Sequence, residues 1–204
     1  MRDRIGIYTG SFNPIHNAHL RIAEIAKEAF KLDIVFFEAC NDYYDKTDLA
    51  ECKDRMKMIN LAISHVPAMT LGHYEASQAT IINRQPYTIE TLDYYRAEYP
   101  KAEIFYICGG DVLDYIREFR DIDKLLENYK VICISREGNE TEKIVDTFNL
   151  DEKGKGVELV KGIIGKEFSG TAIRGLVSKG YTIRWLVPEG VREYIFDNRL
   201  YKQT

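Results

Sequence analysis

Gly10-Ser11-Phe12-Asn13-Pro14-Ile15-His16-Asn17-Ala18-His19-Leu20 is the stretch whose reading decides the fold. Just before it, Ile5-Gly6-Ile7-Tyr8 is a short apolar, β-favouring run of the kind that forms a buried strand. After it, Leu20, Ile22, Ala23, Ile25, Ala26, Ala29 and Phe30 recur at a helical period. The stretch is therefore a strand-to-helix turn, in which Gly10 and Ser11 let the backbone approach a ligand and Pro14 stiffens the bend. His16 and His19, three residues apart at the opening of a helix, share one face. The first helical turn adds unpaired N–H groups and the positive end of the helix dipole. Two imidazoles beside such an end predict a phosphate-binding site. Two histidines on a helix can also be ordinary surface; strand, small-residue turn, proline, histidine pair and amphipathic helix together favour the site.

Working outward, strands and helices alternate. Strands are predicted at 34–39, 69–71, 104–108, 131–134 and 157–160, and helices at 50–64, 87–99, 171–178 and 189–196. A helical pair is expected between 111 and 128, a short helix at 142–148, and a polar connection between 72 and 86. This pattern predicts an α/β, Rossmann-like, mostly parallel sheet with helices on both faces and a small C-terminal helical part, as one domain over 1–204. Ligands of such folds bind beyond the carboxyl ends of the strands. Three polar segments that follow strands, 10–19, 41–46 and 109–111, are placed to share one crevice. Pattern alone leaves the strand order open.

Composition narrows the class. At 204 residues, 45% hydrophobic and 29% charged, the chain can bury a real core. A net charge of -4 without a basic block disfavours extended nucleic-acid binding. Neither a signal peptide nor a membrane span is visible. Cys40, Cys52, Cys108 and Cys133 show no CxxC spacing and read as small buried hydrophobes in a reducing cytoplasm, with no metal site among the side chains. The single tryptophan, Trp185, lies in a segment that reads as core.

A second chemical segment lies late in the chain. In Glu167-Phe168-Ser169-Gly170-Thr171-Ala172-Ile173-Arg174, a hydroxyl pair opens a helix and an arginine follows one turn on. Ser169 or Thr171 would serve as an ordinary N-cap. The same group is also a phosphate grip, because a guanidinium donates two parallel hydrogen bonds to phosphate oxygens.

Together GSFNPIHNAH, Ile107-Cys108-Gly109-Gly110-Asp111 and SGTAIR resemble, in order and over nearly the whole chain, the nicotinamide/nicotinate mononucleotide adenylyltransferases of the HxGH-type nucleotidyltransferase superfamily. The resemblance implies transfer of AMP from ATP to a pyridine mononucleotide, with pyrophosphate released and Mg²⁺ carried mainly on ATP phosphates. It implies that His16, His19 and Arg174 act on the reacting phosphates. Gly10, Ser11, Phe12, Ser169, Thr171 and Arg136 would contribute to ATP binding, although an exposed loop arginine is an equal reading of Arg136. Ser11, Lys46, Gly109 and Asp111 would border the mononucleotide, and Thr88 and Thr91 the pyridine ring; threonines in a first helical turn are often caps.

Two departures stand out. Gly170 occupies a position where the family usually carries a hydroxyl, and the tryptophan on which the family stacks the pyridine is missing, leaving Tyr87 or Phe119 as its aromatic replacement. A related transferase with another phosphate acceptor, a weakly catalytic nucleotide-binding regulator and a class I synthetase fragment are the competing readings. Acid-versus-amide preference and homo-oligomerisation stay open.

Overall fold

The computed structural model describes residues 3–43, 48–135, 156–161 and 168–202. Among these, β1 (Arg4–Gly10), β2 (Ile34–Ala39), β3 (Met69–Leu71), β4 (Glu103–Gly109), β5 (Lys130–Ser135) and β6 (Gly156–Lys161) form one sheet in the order β3-β2-β1-β4-β5-β6. Every pairing is parallel. Such strands are buried on both faces, which is why they read as continuous apolar runs rather than alternating ones.

Among the described residues, seven α-helices cover the sheet: α1 (Asn17–Phe30), α2 (Cys52–Ile63), α3 (Tyr74–Ile82), α4 (Thr88–Glu98), α5 (Ile122–Asn128), α6 (Gly170–Ser178) and α7 (Glu189–Asp197). The period of two along β4 assigns its side chains to two cores. Phe105 and Ile107 belong to one core with Ile22 and Ala26 of α1, Met58 of α2, Ile173 of α6 and Ile195 of α7. Ile104, Tyr106 and Cys108 belong to the other, with Leu92 and Tyr95 of α4 and Leu125 of α5. The C-terminal helices are tied down by α7 on α2, where the Tyr194 hydroxyl donates to Asp54 Oδ1 at 2.8 Å. None of the described helices is long and apolar enough to cross a membrane.

From β1 the chain builds outward to β2 and β3, then returns to place β4 on the other side of β1. The crossovers leave β1 and β4 in opposite directions, so their carboxyl ends, Gly10 and Gly109, border the crevice where open α/β sheets bind ligands.

Three expectations are corrected. The polar connection contains α3, whose apolar residues form no stripe; only Glu75 and Ala79 are buried. That helix is started from outside, by Glu38 of β2, whose carboxylate accepts the Tyr74 and Glu75 N–H groups at 3.1 Å each. The helical pair after β4 is two 3-10 turns, Gly110–Val112 and Ile116–Glu118, followed by α5. Trp185 is 82% exposed rather than core. Its φ of 71° and the bonds from Asn17 to the carbonyls of Trp185 and Leu186 turn the ring outward between buried Ile183 and Val187. The helix expected at 142–148 lies outside the described residues.

Candidate active site

Beyond the ends of β1 and β4 lies a cavity of about 590 Å³. One end is built by the turn after β1. Gly10 packs closely there: a Cβ would stand 3.2 Å from the Phe12 ring. Phe12, at a φ of 44°, folds back into the core and packs edge-on against Tyr8 and His19. Asn13 then fastens the turn. Its amide donates to the Asp48 carbonyl, and its Oδ1 accepts from the Ala50 N–H and the Tyr201 hydroxyl. The turn is thus tied to two segments that are remote in sequence.

His16 is the N-cap of α1 and is 1% exposed, with its ring stacked on that of His19 at 3.6 Å between centroids. The His16 N–H donates to His19 Nδ1 at 3.2 Å. An accepting imidazole nitrogen carries no hydrogen, so in the neutral ring Nε2 is the donor. His19 lines the cavity, whereas His16 does not and stands in the stack behind it. The opening of the 14-residue α1 supplies further N–H groups and dipole at the same place.

The late motif meets the first one directly. Arg174 Nη1 donates to the Asn13 carbonyl at 2.9 Å, and Nη2 lies 3.5 Å from Thr171 Oγ1. Ser169 is a true N-cap, its Oγ accepting the Ala172 N–H at 3.1 Å, which leaves its O–H as a donor. Gly170 has a steric cause: a Cβ there would stand 2.7 Å from the Asn13 carbonyl oxygen and 3.3 Å from Arg174 Nη1. The hydroxyl expected at this position is excluded by the approach of α6 to the turn. Gly170→Ala is expected to push the two apart, costing about 1–3 kcal/mol of stability. Urea melts check it.

Arg55 was not singled out as a site residue, yet it organises this end. It is fully buried on α2. Its guanidinium donates to the Ala50 and Ser11 carbonyls at 2.8 and 2.9 Å and pairs with Asp42 at 3.1 Å. The signal was available: an arginine in register with the apolar stripe Cys52, Met58, Ile59 and Ala62 has to be satisfied inside.

The opposite end is aromatic. Tyr87, Phe119, Tyr106 and Tyr115 line it, with Thr88, Gly109 and Asp111 alongside. Gly109 is close-packed, since a Cβ would come 2.6 Å from Asp111 Oδ1. Asp111 lies within the 3-10 turn that Gly109 opens, and no side chain caps that turn. The Tyr87 ring lies 4.5 Å from the Arg84 guanidinium and 5.8 Å from that of Arg120, a residue the sequence reading did not include. Thr91 is fully buried, and its hydroxyl donates to Glu75 Oε1 at 3.0 Å, one layer behind the cavity. Burial and the neighbouring Glu38 push the Glu75 carboxyl up to about 8. Burial likewise pushes the Cys40 thiol up to about 11, so it is no nucleophile at neutral pH. Lys46 and Arg136 lie outside the described residues.

Comparison with known proteins gives matches over the whole length. The cytidylyltransferase-like family model matches residues 7–176. The "Probable nicotinate-nucleotide adenylyltransferase" of Citrifermentans bemidjiense is 32% identical over 216 residues, covering 97% of this chain and 98% of the relative. The protein of the same name from Lactiplantibacillus plantarum is 31% identical, covering 98% and 89%. Among solved structures, Plasmodium falciparum nicotinic acid mononucleotide adenylyltransferase complexed with NaAD aligns at a TM-score of 0.80 and 21% identity over 98% of both chains. Its complex with APC aligns at 0.77. At that identity the structural likeness speaks for the fold.

Proposed function

The chain belongs to the nicotinate-nucleotide adenylyltransferase family, a nucleotidyltransferase of NAD biosynthesis, and from that premise we propose that its acceptor is nicotinate mononucleotide. A phosphate oxygen of the mononucleotide attacks the α-phosphorus of ATP, the bond from that phosphorus to the bridging oxygen breaks, and pyrophosphate leaves. The nucleophile is already ionised at neutral pH, so the reaction asks for alignment and charge neutralisation rather than a general base. The observation that carries the reading is the junction of the two motifs. Arg174 bound to the Asn13 carbonyl brings the opening of α6 against the turn that leads into α1 and supports a shared phosphate grip.

In this reading His19 Nε2, the α1 N–H groups and Arg174 hold the ATP phosphates, with Gly10, Ser11, Ser169 and Thr171 beside them. His16 holds the His19 ring in place. The aromatic end receives the pyridine on Phe119 or Tyr87, bordered by Thr88, Gly109 and Asp111. Mg²⁺ would ride on the triphosphate and the departing pyrophosphate, where it neutralises charge. The described residues contain no group of three or more His, Cys, Asp or Glu placed to hold a metal. An octahedral ion that keeps its waters on phosphate oxygens fits such a site.

Initial rates with ATP, Mg²⁺ and either nicotinate or nicotinamide mononucleotide test this. Dinucleotide and pyrophosphate in equal amounts, with the larger kcat/KM for the acid, are expected. A larger value for the amide would overturn the acceptor, and product only with a different phosphate acceptor would overturn the pyridine reading.

A further inference from the structure

The cavity wall contains a carboxyl group that the phosphate chemistry does not use. Glu75 lines the cavity and is 3% exposed. Its Oε1 accepts the Thr91 hydroxyl at 3.0 Å, and its Oε2 accepts the Gln85 side-chain N–H at 2.7 Å. Gln85 in turn accepts the Asn41 N–H at 2.8 Å, and the Asn41 amide donates to the Ala76 carbonyl at 2.7 Å. Glu75 therefore closes a ring of bonds joining the end of β2, α3, α4 and the connection that carries Pro86, Tyr87 and Thr88 into the cavity wall. A buried carboxylate in such a place ordinarily has a cationic partner. Its oxygens meet only neutral donors among the described residues.

We propose that Glu75 is a specificity-determining residue of the pyridine subsite: neutral, it admits a substrate whose ring bears a carboxylate, and ionised, it repels that substrate while tolerating the carboxamide. This rests on the reading of the cavity as the mononucleotide site. Glu75 lines the same cavity as Tyr87 and Phe119, and its bonded partner Gln85 stands two residues before Tyr87, so a ring received by those aromatics lies within reach of its charge.

The surroundings favour a neutral acid. Glu38 of β2 is the charged neighbour. Burial raises its carboxyl, against which the Tyr95 hydroxyl at 2.6 Å, the Tyr74 and Glu75 N–H groups and the charge of His73 support its ionised form. Two adjoining buried carboxyls ionise in succession, and Glu75, with fewer donors and its charge facing that of Glu38, is the later one. The other titratable groups under its influence are Cys40 after β2, Cys52 on α2, Tyr106 on β4 and Tyr74 on its own helix. Burial pushes each of these upward, leaving the region around pH 8 to Glu75. The sign follows: the acid substrate is favoured below that pH and loses ground as the pH rises through it.

The test is the ratio of KM for nicotinate mononucleotide to KM for nicotinamide mononucleotide, measured from about pH 6.5 to about pH 9.5 with ATP and Mg²⁺ saturating. Phosphate and histidine titrations act on both substrates and cancel in the ratio. In the wild-type protein the ratio is expected to rise about tenfold across the range, from one added charge near the ring. In Glu75→Gln, whose amide keeps an acceptor for Gln85 and a donor for Thr91, the ratio is expected to stay flat. A flat wild-type ratio, or a rise that persists in Glu75→Gln, would overturn the inference while leaving the reaction intact. A merely structural Glu75 would shift both KM values together and is read out as that flat ratio. Absence of product with both mononucleotides would overturn the mononucleotide site and the inference with it. Should that variant not fold, Gln85→Ala, which removes one donor to Glu75, is expected to move the midpoint of the rise to higher pH, and an unmoved midpoint would overturn the inference.

Discussion

Replacing His19 by alanine is expected to lower kcat by about a hundredfold to a thousandfold, the usual loss when one oriented donor to a developing phosphate charge is removed. The ring is fixed from three sides. Its Nδ1 takes the His16 N–H, its face lies on the His16 ring, and its edge packs against Phe12 and Tyr8. Such fixation means that Nε2 needs no reorganisation as charge shifts toward pyrophosphate. Mononucleotide binding, proposed for the aromatic end, is expected to change by less than about threefold, so the loss falls on kcat rather than on that KM. His19→Gln restores a side-chain N–H without the stacked ring and is expected to recover part of the rate. Single-turnover rates with saturating ATP check both; near-normal turnover of His19→Ala would remove this residue from the chemistry.

The largest stability effect is expected at Arg55. Arg55→Ala strips donors from the Ser11 and Ala50 carbonyls and leaves a cavity beneath the turn. The buried, unsatisfied carbonyls and the lost packing together cost about 2–4 kcal/mol. For a chain of this size that lowers Tm by roughly 5–15 °C. The Asp42 end of the ion pair is half exposed, with a side-chain exposure of 54%, and solvent screens it. Asp42→Asn is accordingly expected to cost less than about 1 kcal/mol. Arg55→Met, which refills the volume without the donors, is expected to fall between them and so separate packing from hydrogen bonding. Urea melts followed by circular dichroism give all three values, and an Arg55→Ala midpoint equal to wild type would show that the turn holds without it.

The two effects are linked through the backbone. Arg55 holds the carbonyl of Ser11, Arg174 holds that of Asn13, and between them lies the turn that aims His16 and His19. Arg55→Ala should therefore also weaken ATP binding, whereas His19→Ala should leave the melting midpoint nearly unmoved.

Much of this was legible in the sequence because it is local. The strand ending at Gly10, the turn and the amphipathic α1 announce themselves through periodicity and small residues. The predicted strand at 69–71 coincides with Met69–Leu71, and the helix at 87–99 differs from Thr88–Glu98 by one residue at each end. Both phosphate motifs were visible because their chemistry resides in residue types a few positions apart. Less was legible where a partner remote in sequence decides the conformation. α3 has no apolar stripe, and its start depends on Glu38, 36 residues upstream of Tyr74. Trp185 follows the apolar pattern of its neighbours, but its carbonyl is claimed by Asn17, and this long-range bond decides the direction of the ring.

The sequence by itself determined the class of fold, the strand-to-helix turn that carries the two histidines and the late hydroxyl–arginine motif, since each follows from spacing within one or two turns of chain. Only the tertiary structure decided the strand order that opens the crevice between β1 and β4, the contact of Arg174 with Asn13, and the steric need for glycine at 170. It alone also buried Glu75 among neutral donors in the wall of the cavity. The physical reason is range: propensity and periodicity act between neighbours in the chain, whereas packing, desolvation and hydrogen bonding act between neighbours in space.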